Sequence, residues 1–188
     1  MRHKYPYIII LLVLVASVYL VLLNGPSVQK TSETLSPSPI QQTQEFSASF
    51  FIITNGIQRN FSNSMYHNLS TDVFITESNP YTVYVKKGNI QWKDFFSTLP
   101  MGLSSSCLTT GTGQTFCDGD SASSQSAQIQ SLSFILNGKI QPNSLENTIN
   151  PGDILLINFG TDSESQLLQK FQNLEGQVAS ASANTQEE

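Results

Sequence analysis

The chain has 188 residues, enough for one domain with appendages, a formal net charge of −5 and a charged fraction of only 12%. Ser, Thr, Asn and Gln carry most of the polarity, and the longest basic run past the N-terminus is Lys86-Lys87. Phosphate recognition needs clustered Lys and Arg, so no nucleic-acid partner is expected.

Tyr7 to Leu23 is an almost unbroken apolar run without charge, preceded by Arg2, His3 and Lys4. Extended to Tyr5 it approaches the length of about 20 residues that a helix needs to cross a bilayer core. Residues 1–23 are therefore read as a cytoplasmic tip and single transmembrane anchor. The basic tip places the rest of the chain outside the membrane. A cleaved signal peptide is the rival, but Leu22-Leu23-Asn24-Gly25-Pro26 lacks the small-x-small cleavage pattern. Residues 24–44, rich in Pro, Ser, Thr and Gln, read as a disordered stalk with too few apolar residues for a core.

An extracytoplasmic domain is expected over residues 45–160. Phe46 to Thr54 predicts a strand, and Asn55-Gly56 a type I′ turn into a second strand over Ile57 to Phe61. Asn63 to Ser78 carries little pattern beyond a short strand at Val73-Phe74-Ile75 and a turn at Asn79-Pro80. His67 stands alone there and is assigned no chemistry. Asn60 and Asn68 head glycosylation sequons, triplets that arise readily by chance in an Asn/Ser-rich chain. Tyr81 to Val85 alternates as a strand. Trp92, Phe95, Phe96 and Leu99 then recur at helical spacing, with Asn89 as N-cap and Pro100 as stop. That aromatic stripe is read as core.

Cys107 and Cys117 bracket C-L-T-T-G-T-G-Q-T-F-C, symmetric about Thr112. Threonines and Phe116 suit strands and Gly111-Thr112-Gly113 suits the loop, which sets the two sulfurs opposite each other at bridging distance. A structural disulfide is the main reading, stabilising by roughly 3 kcal/mol through loop entropy. Redox pairs favour C-x-x-C at a helix start, and two Cys without a nearby His cannot complete a zinc site. Asp118-Gly119-Asp120 could open a calcium loop, but further carboxylates at loop spacing are missing, so an acidic turn is preferred. Ser121 to Gln128 reads as a mobile loop.

Leu132 to Leu136 predicts a strand that turns at Asn137-Gly138. Asn150-Pro151-Gly152-Asp153 launches Ile154 to Phe159, apolar on both faces and so expected at the sheet centre. A C-terminal helix is expected over 161–178, capped at Asp162 or Ser163 with Gln166 completing a capping box. Its apolar face of Leu167, Leu168, Phe171, Leu174 and Val178 is expected to fold back on the domain, contact with another chain being the alternative. Residues 179–188 read as a disordered tail.

The segments F-I-I-T-N-G-I, W-K-D-F-F-S-T-L, F-I-L-N-G-K-I and L-E-N-T-I-N-P-G-D-I-L-L-I, in that order, resemble the β-grasp layout of the ubiquitin-like sulfur-carrier proteins. The resemblance implies an α+β fold, a mixed sheet with one packed helix, with Ser62–Gly88 and Cys107–Gln130 as insertions. The carriers end in an activated Gly-Gly. Here Thr161 and a further helix come after Gly160, so carrier chemistry does not transfer. The chain also resembles uncharacterised single-span proteins of candidate-phyla bacteria, on Gly88 to Phe96, Cys107, Cys117, Phe134 to Lys139 and Gly152 to Gly160. Some of those carry histidines in the strand before the helix. Val83, Tyr84 and Val85 stand there in this chain, so it inherits no metal role.

No catalytic, cofactor-binding or metal constellation is legible. The leading expectation is a non-enzymatic, membrane-anchored extracytoplasmic module that binds an envelope protein or a small apolar ligand, or pairs through a sheet edge. The alternatives are a thiol–disulfide exchange protein using Cys107 and Cys117, and an envelope assembly subunit using the C-terminal helix face.

Overall fold

A computed structural model describes residues 45–123 and 126–184. The predicted anchor, the stalk and the last four residues of the tail lie outside the described residues. Among those described, no helix is long and apolar enough to cross a membrane.

The main sheet forms from β1 (Phe46–Thr54), β2 (Ile57–Gln58), β3 (Val73–Phe74) and β4 (Thr82–Val85), with β10 (Ser131–Leu136), β11 (Lys139–Ile140) and β12 (Ile154–Gly160) from the C-terminal half. Its order is β11-β10-β12-β1-β4-β3, with β2 paired to the end of β1. The centre is the parallel pair β1 and β12, in register from Ser49 opposite Ile154 to Thr54 opposite Phe159. Every residue of β12 is buried, as its near-continuous apolar run predicts for a strand covered on both faces.

Alternation along the strands sorts their side chains into two layers. Phe50, Ile52, Phe134, Leu155, Ile157 and Phe159 face one core. Phe51, Ile53, Ile135, Ile154 and Leu156 face the other. The first core is closed by α1 (Trp92–Thr98), whose Trp92, Phe95 and Phe96 are buried as the stripe predicts. Phe50 takes Phe61, Phe95 and Phe96 edge-on at centroid distances of 4.9, 5.1 and 5.6 Å. The Trp92 indole N–H finds no acceptor among the described residues.

The helix starts two residues later than its pattern indicates. Gln91, not Asn89, is the N-cap, and its N–H donates to Asp94 Oδ2 at 2.9 Å. Asn89 lies at φ 62°. The chain then stays extended, because the Ile90 carbonyl accepts from Ile149 N–H and the Asn147 carbonyl accepts from Trp92 N–H. Pairing with a distant segment outweighs the local capping signal. On the exposed side Lys93 pairs with Glu146, whose hydrogen bond raises the lysine pKa.

A seven-residue helix cannot cover this sheet alone. The remainder of the first face is closed by a small sheet of β5 (Gly102–Leu103), β6 (Cys107–Thr109) and β7 (Thr115–Cys117). Leu108 enters the core fully buried, and Phe116 packs on Phe159 at 5.3 Å. Gly111 lets the hairpin tip approach: a Cβ there would sit 2.7 Å from Tyr66 Oη and 3.0 Å from the Pro100 carbonyl.

The expectation of a mobile loop over Ser121 to Gln128 is corrected. β8 (Ser121–Ser123) and β9 (Ser126–Ile129) pair as an antiparallel ribbon. Its base is fixed on both sides, since Gly119 N–H donates to the Gln130 carbonyl and Gln130 N–H to the Asp120 carbonyl. Periodicity hides this ribbon, because Ser121 to Gln128 carries no alternation of apolar and polar residues in the sequence.

The second core is closed by α2 (Glu164–Asn184), which sets Leu167, Phe171 and Leu174 against the sheet. The C-terminal helix therefore folds back on the domain, as expected, and runs six residues beyond Val178 into the stretch read as a tail. The two helices thus pack one on each face of the sheet. The class is α+β with a mixed sheet.

Candidate functional site

The cysteines are joined across β6 and β7, directly opposite in register, with Cα atoms 4.2 Å apart. Neither lies at a helix terminus. The bridge ties two three-residue strands whose backbone ladder is too short to hold the hairpin alone. Asp118 and Asp120 are structural as well. Asp118 Oδ1 accepts Leu132 N–H at 2.6 Å, satisfying a donor on β10, and Asp120 Oδ2 accepts Cys117 N–H at 2.9 Å. His67 bonds the Phe61 carbonyl at 2.8 Å. Among the described residues no group of three or more His, Cys, Asp or Glu could share a metal ion.

Two turns that look independent in the chain meet at the start of β12. Asn137 and Gly138 both take positive φ, 50° and 74°, the type I′ geometry. The Asn137 side chain then reaches across, its Oδ1 accepting Ile154 N–H at 2.9 Å and its Nδ2 donating to Asp153 Oδ1 at 2.8 Å. The other carboxylate oxygen of Asp153 accepts Asn150 N–H at 2.8 Å. This network, centred on the buried Asp153, registers the hairpin against the central strand, and its polar groups are occupied in holding it.

A concavity with the most apolar lining of those described lies between the sheet and the C-terminal half of α2, with a volume of about 470 Å³. It exists because small residues face small residues. Ser47, Ser49 and Thr82 form its floor at the N-terminal end of β1, and Ala181 of α2 faces them. Layers set apart by large side chains such as Phe51 and Phe171 cannot close over serine and alanine. Phe51 and Tyr81 stack at 5.5 Å on one wall, and Tyr81 Oη donates to the Arg59 carbonyl. The lining is uncharged, with aromatic and aliphatic surface beside hydroxyl and amide groups. Such a surface can orient a neutral ligand, and none of its lining residues carries a carboxylate, amine, imidazole or thiol.

Two smaller or more polar hollows lie elsewhere among the described residues. One, about 150 Å³, sits beneath the cysteine hairpin between Arg59, Tyr66 and Leu108. Arg59 is held there by Thr54 Oγ1 at 2.5 Å, by Gln114 Oε1 at 3.2 Å and by the Phe116 ring. The other is a basin of about 450 Å³ at the C-terminal ends of β1 and β12, lined by Asn55, Gln130, Gly160, Thr161, Asp162 and Lys170. Sequence reading missed both the groove and the basin. The groove is an absence of bulk that appears only when β1 and α2 are superposed. The basin had one signal, the lone Asn158 in the apolar run Ile154 to Phe159. No protein-family model, curated protein or solved structure matches this chain.

Proposed function

We propose that this protein is a non-enzymatic binding module, held outside the cell membrane by its N-terminal segment, that takes a small neutral apolar or amphipathic ligand in the groove between α2 and β1. The observation that carries the reading is the uncharged groove of about 470 Å³, within the size range of small-molecule sites. Its aromatic wall offers apolar area, and the serine, threonine and asparagine groups offer orientation. The anchored, extracytoplasmic setting rests on the apolar run Tyr7 to Leu23 behind a basic tip and agrees with a disulfide-bridged domain. A β-grasp ancestry is part of the same proposal. Its support is the order of the sheet, in which the first and last long strands lie parallel at the centre and hairpins flank them.

The test is a titration of the isotopically labelled protein with a medium-chain fatty alcohol, tracked by amide chemical shifts. Saturable shifts confined to Ser47, Ser49, Tyr81, Thr82 and the facing turn of α2 are expected, and Ser49→Phe should abolish them while leaving the remaining spectrum folded. Shifts spread over the surface, or none at millimolar ligand, would refute the groove as the site.

A further inference from the structure

Asn158 interrupts the row Ile154, Leu156 that β12 presents to α2, and it is 1% exposed. Beside it lie Lys170, from the second turn of α2, and Asp162, from the turn that joins the two elements. Lys170 Nζ stands 3.2 Å from Asn158 Oδ1 and 2.6 Å from Asp162 Oδ2. The same Asp162 Oδ2 accepts from Asn158 Nδ2 at 3.0 Å. The lysine and aspartate side chains keep only 28% and 18% of their surface. An ion pair alone would need no carboxamide. Here one carboxylate oxygen touches both the amine and the amide nitrogen, while the amide oxygen is directed at that amine.

We propose that Lys170 and Asn158 join in an intramolecular isopeptide bond, with Asp162 carrying the protons. The Lys170 ammonium gives a proton to Asp162, and the freed amine adds to Asn158 Cγ. In the tetrahedral intermediate the amine nitrogen sheds a second proton, and Asp162 delivers one to Nδ2. The Cγ–Nδ2 bond then breaks and ammonia departs, taking up the remaining proton as ammonium. One C–N bond forms and one breaks, with no change of oxidation state and no co-reactant. The three groups are already in hydrogen-bonding reach, which turns a slow bimolecular aminolysis into an intramolecular one. The leaving ammonia has an exit, because Asp162 and Lys170 line the basin at the strand ends. The product would fasten α2 to the central strand, so that the layer closing the second core cannot peel away.

The test is intact mass spectrometry and peptide mapping of the full-length protein, fresh and after prolonged incubation in the folded state. The expected result is loss of one ammonia, located in a branched peptide that joins Asn158 to Lys170. Lys170→Arg and Asp162→Ala should each lack the branch, with Lys170→Arg keeping the ion pair and serving as the folded control. Separate unmodified peptides from the incubated wild-type protein would overturn the proposal. So would an ammonia loss confined to Asn55-Gly56 or Asn137-Gly138, where succinimide formation gives the same mass change. A branch formed equally well by Asp162→Ala would remove Asp162 from the step.

Discussion

Truncating Phe171 to alanine tests whether α2 is an integral layer of the domain. Phe171 is 3% exposed, packs with Phe51, Ile53, Ile135 and Leu156, and lies against Gly138 of the β10–β11 turn, where a Cβ would sit 3.6 Å from its ring. Phe→Ala in such a site costs about 3–5 kcal/mol, the lost transfer energy plus that of a cavity which surrounding atoms refill only in part. A helix at the surface can settle inward, so the lower end of about 3 kcal/mol is expected. A domain of this size has about 5–15 kcal/mol in total, and each kcal/mol moves Tm by about 2–4 °C. Phe171→Ala should therefore lower Tm by about 6–12 °C in a thermal melt monitored by circular dichroism. Hydrogen exchange adds a second readout. If the two layers unfold together, amides of β12 and α2 should lose protection in parallel; if α2 opens separately, its amides alone will exchange faster. A loss below about 1 kcal/mol with unchanged protection in β12 would refute the view that this ring holds the second core.

Cys117→Ser should cost roughly 3 kcal/mol in urea unfolding, from the chain entropy of a loop closed over ten residues, with the far-ultraviolet spectrum retained at low temperature. A variant as stable as the wild type would mean that the hairpin needs no staple. Gly111→Ala should destabilise by about 1–3 kcal/mol, because its methyl meets Tyr66 Oη and the Pro100 carbonyl and the hairpin tip must lift; a neutral result would mean that the tip does not dock as closely. Asp118→Ala should cost about 1–3 kcal/mol, since Leu132 N–H loses its acceptor. Added calcium should leave the wild-type Tm unchanged, because both aspartates of the Asp118-Gly119-Asp120 turn are bonded to backbone N–H groups; a calcium-dependent rise would restore the calcium-loop reading.

Much of the sheet was legible because its signals are local. Asn55-Gly56 and Asn137-Gly138 adopt the positive φ angles that asparagine and glycine tolerate best, and each turns a strand where the chain indicates. The cysteine hairpin is symmetric about Thr112 in the structure as in the sequence, with Thr109 opposite Thr115. Less was legible of the candidate sites. Nothing in Ser47, Ser49 or Ala181 singly marks a groove, and Lys170 reads as an ordinary helix charge until Asn158 is set beside it. The ribbon of β8 and β9 was missed for a related reason, since it is held by backbone bonds at its base rather than by an apolar pattern.

By itself the chain determined its turns, its central strand and the paired cysteines, because backbone conformational preference and hydrophobic alternation act over a few residues and need no knowledge of neighbours. Only the tertiary structure decided that the helix α1 begins at Trp92, with Gln91 as its cap, since Ile90 and Trp92 bond to residues more than fifty positions away. It likewise decided that α2 closes the second face, and so created the groove over the serines of β1 and the meeting of Asn158, Asp162 and Lys170. Those features depend on which surfaces are brought together and how far apart large side chains hold them, a quantity that no local pattern contains.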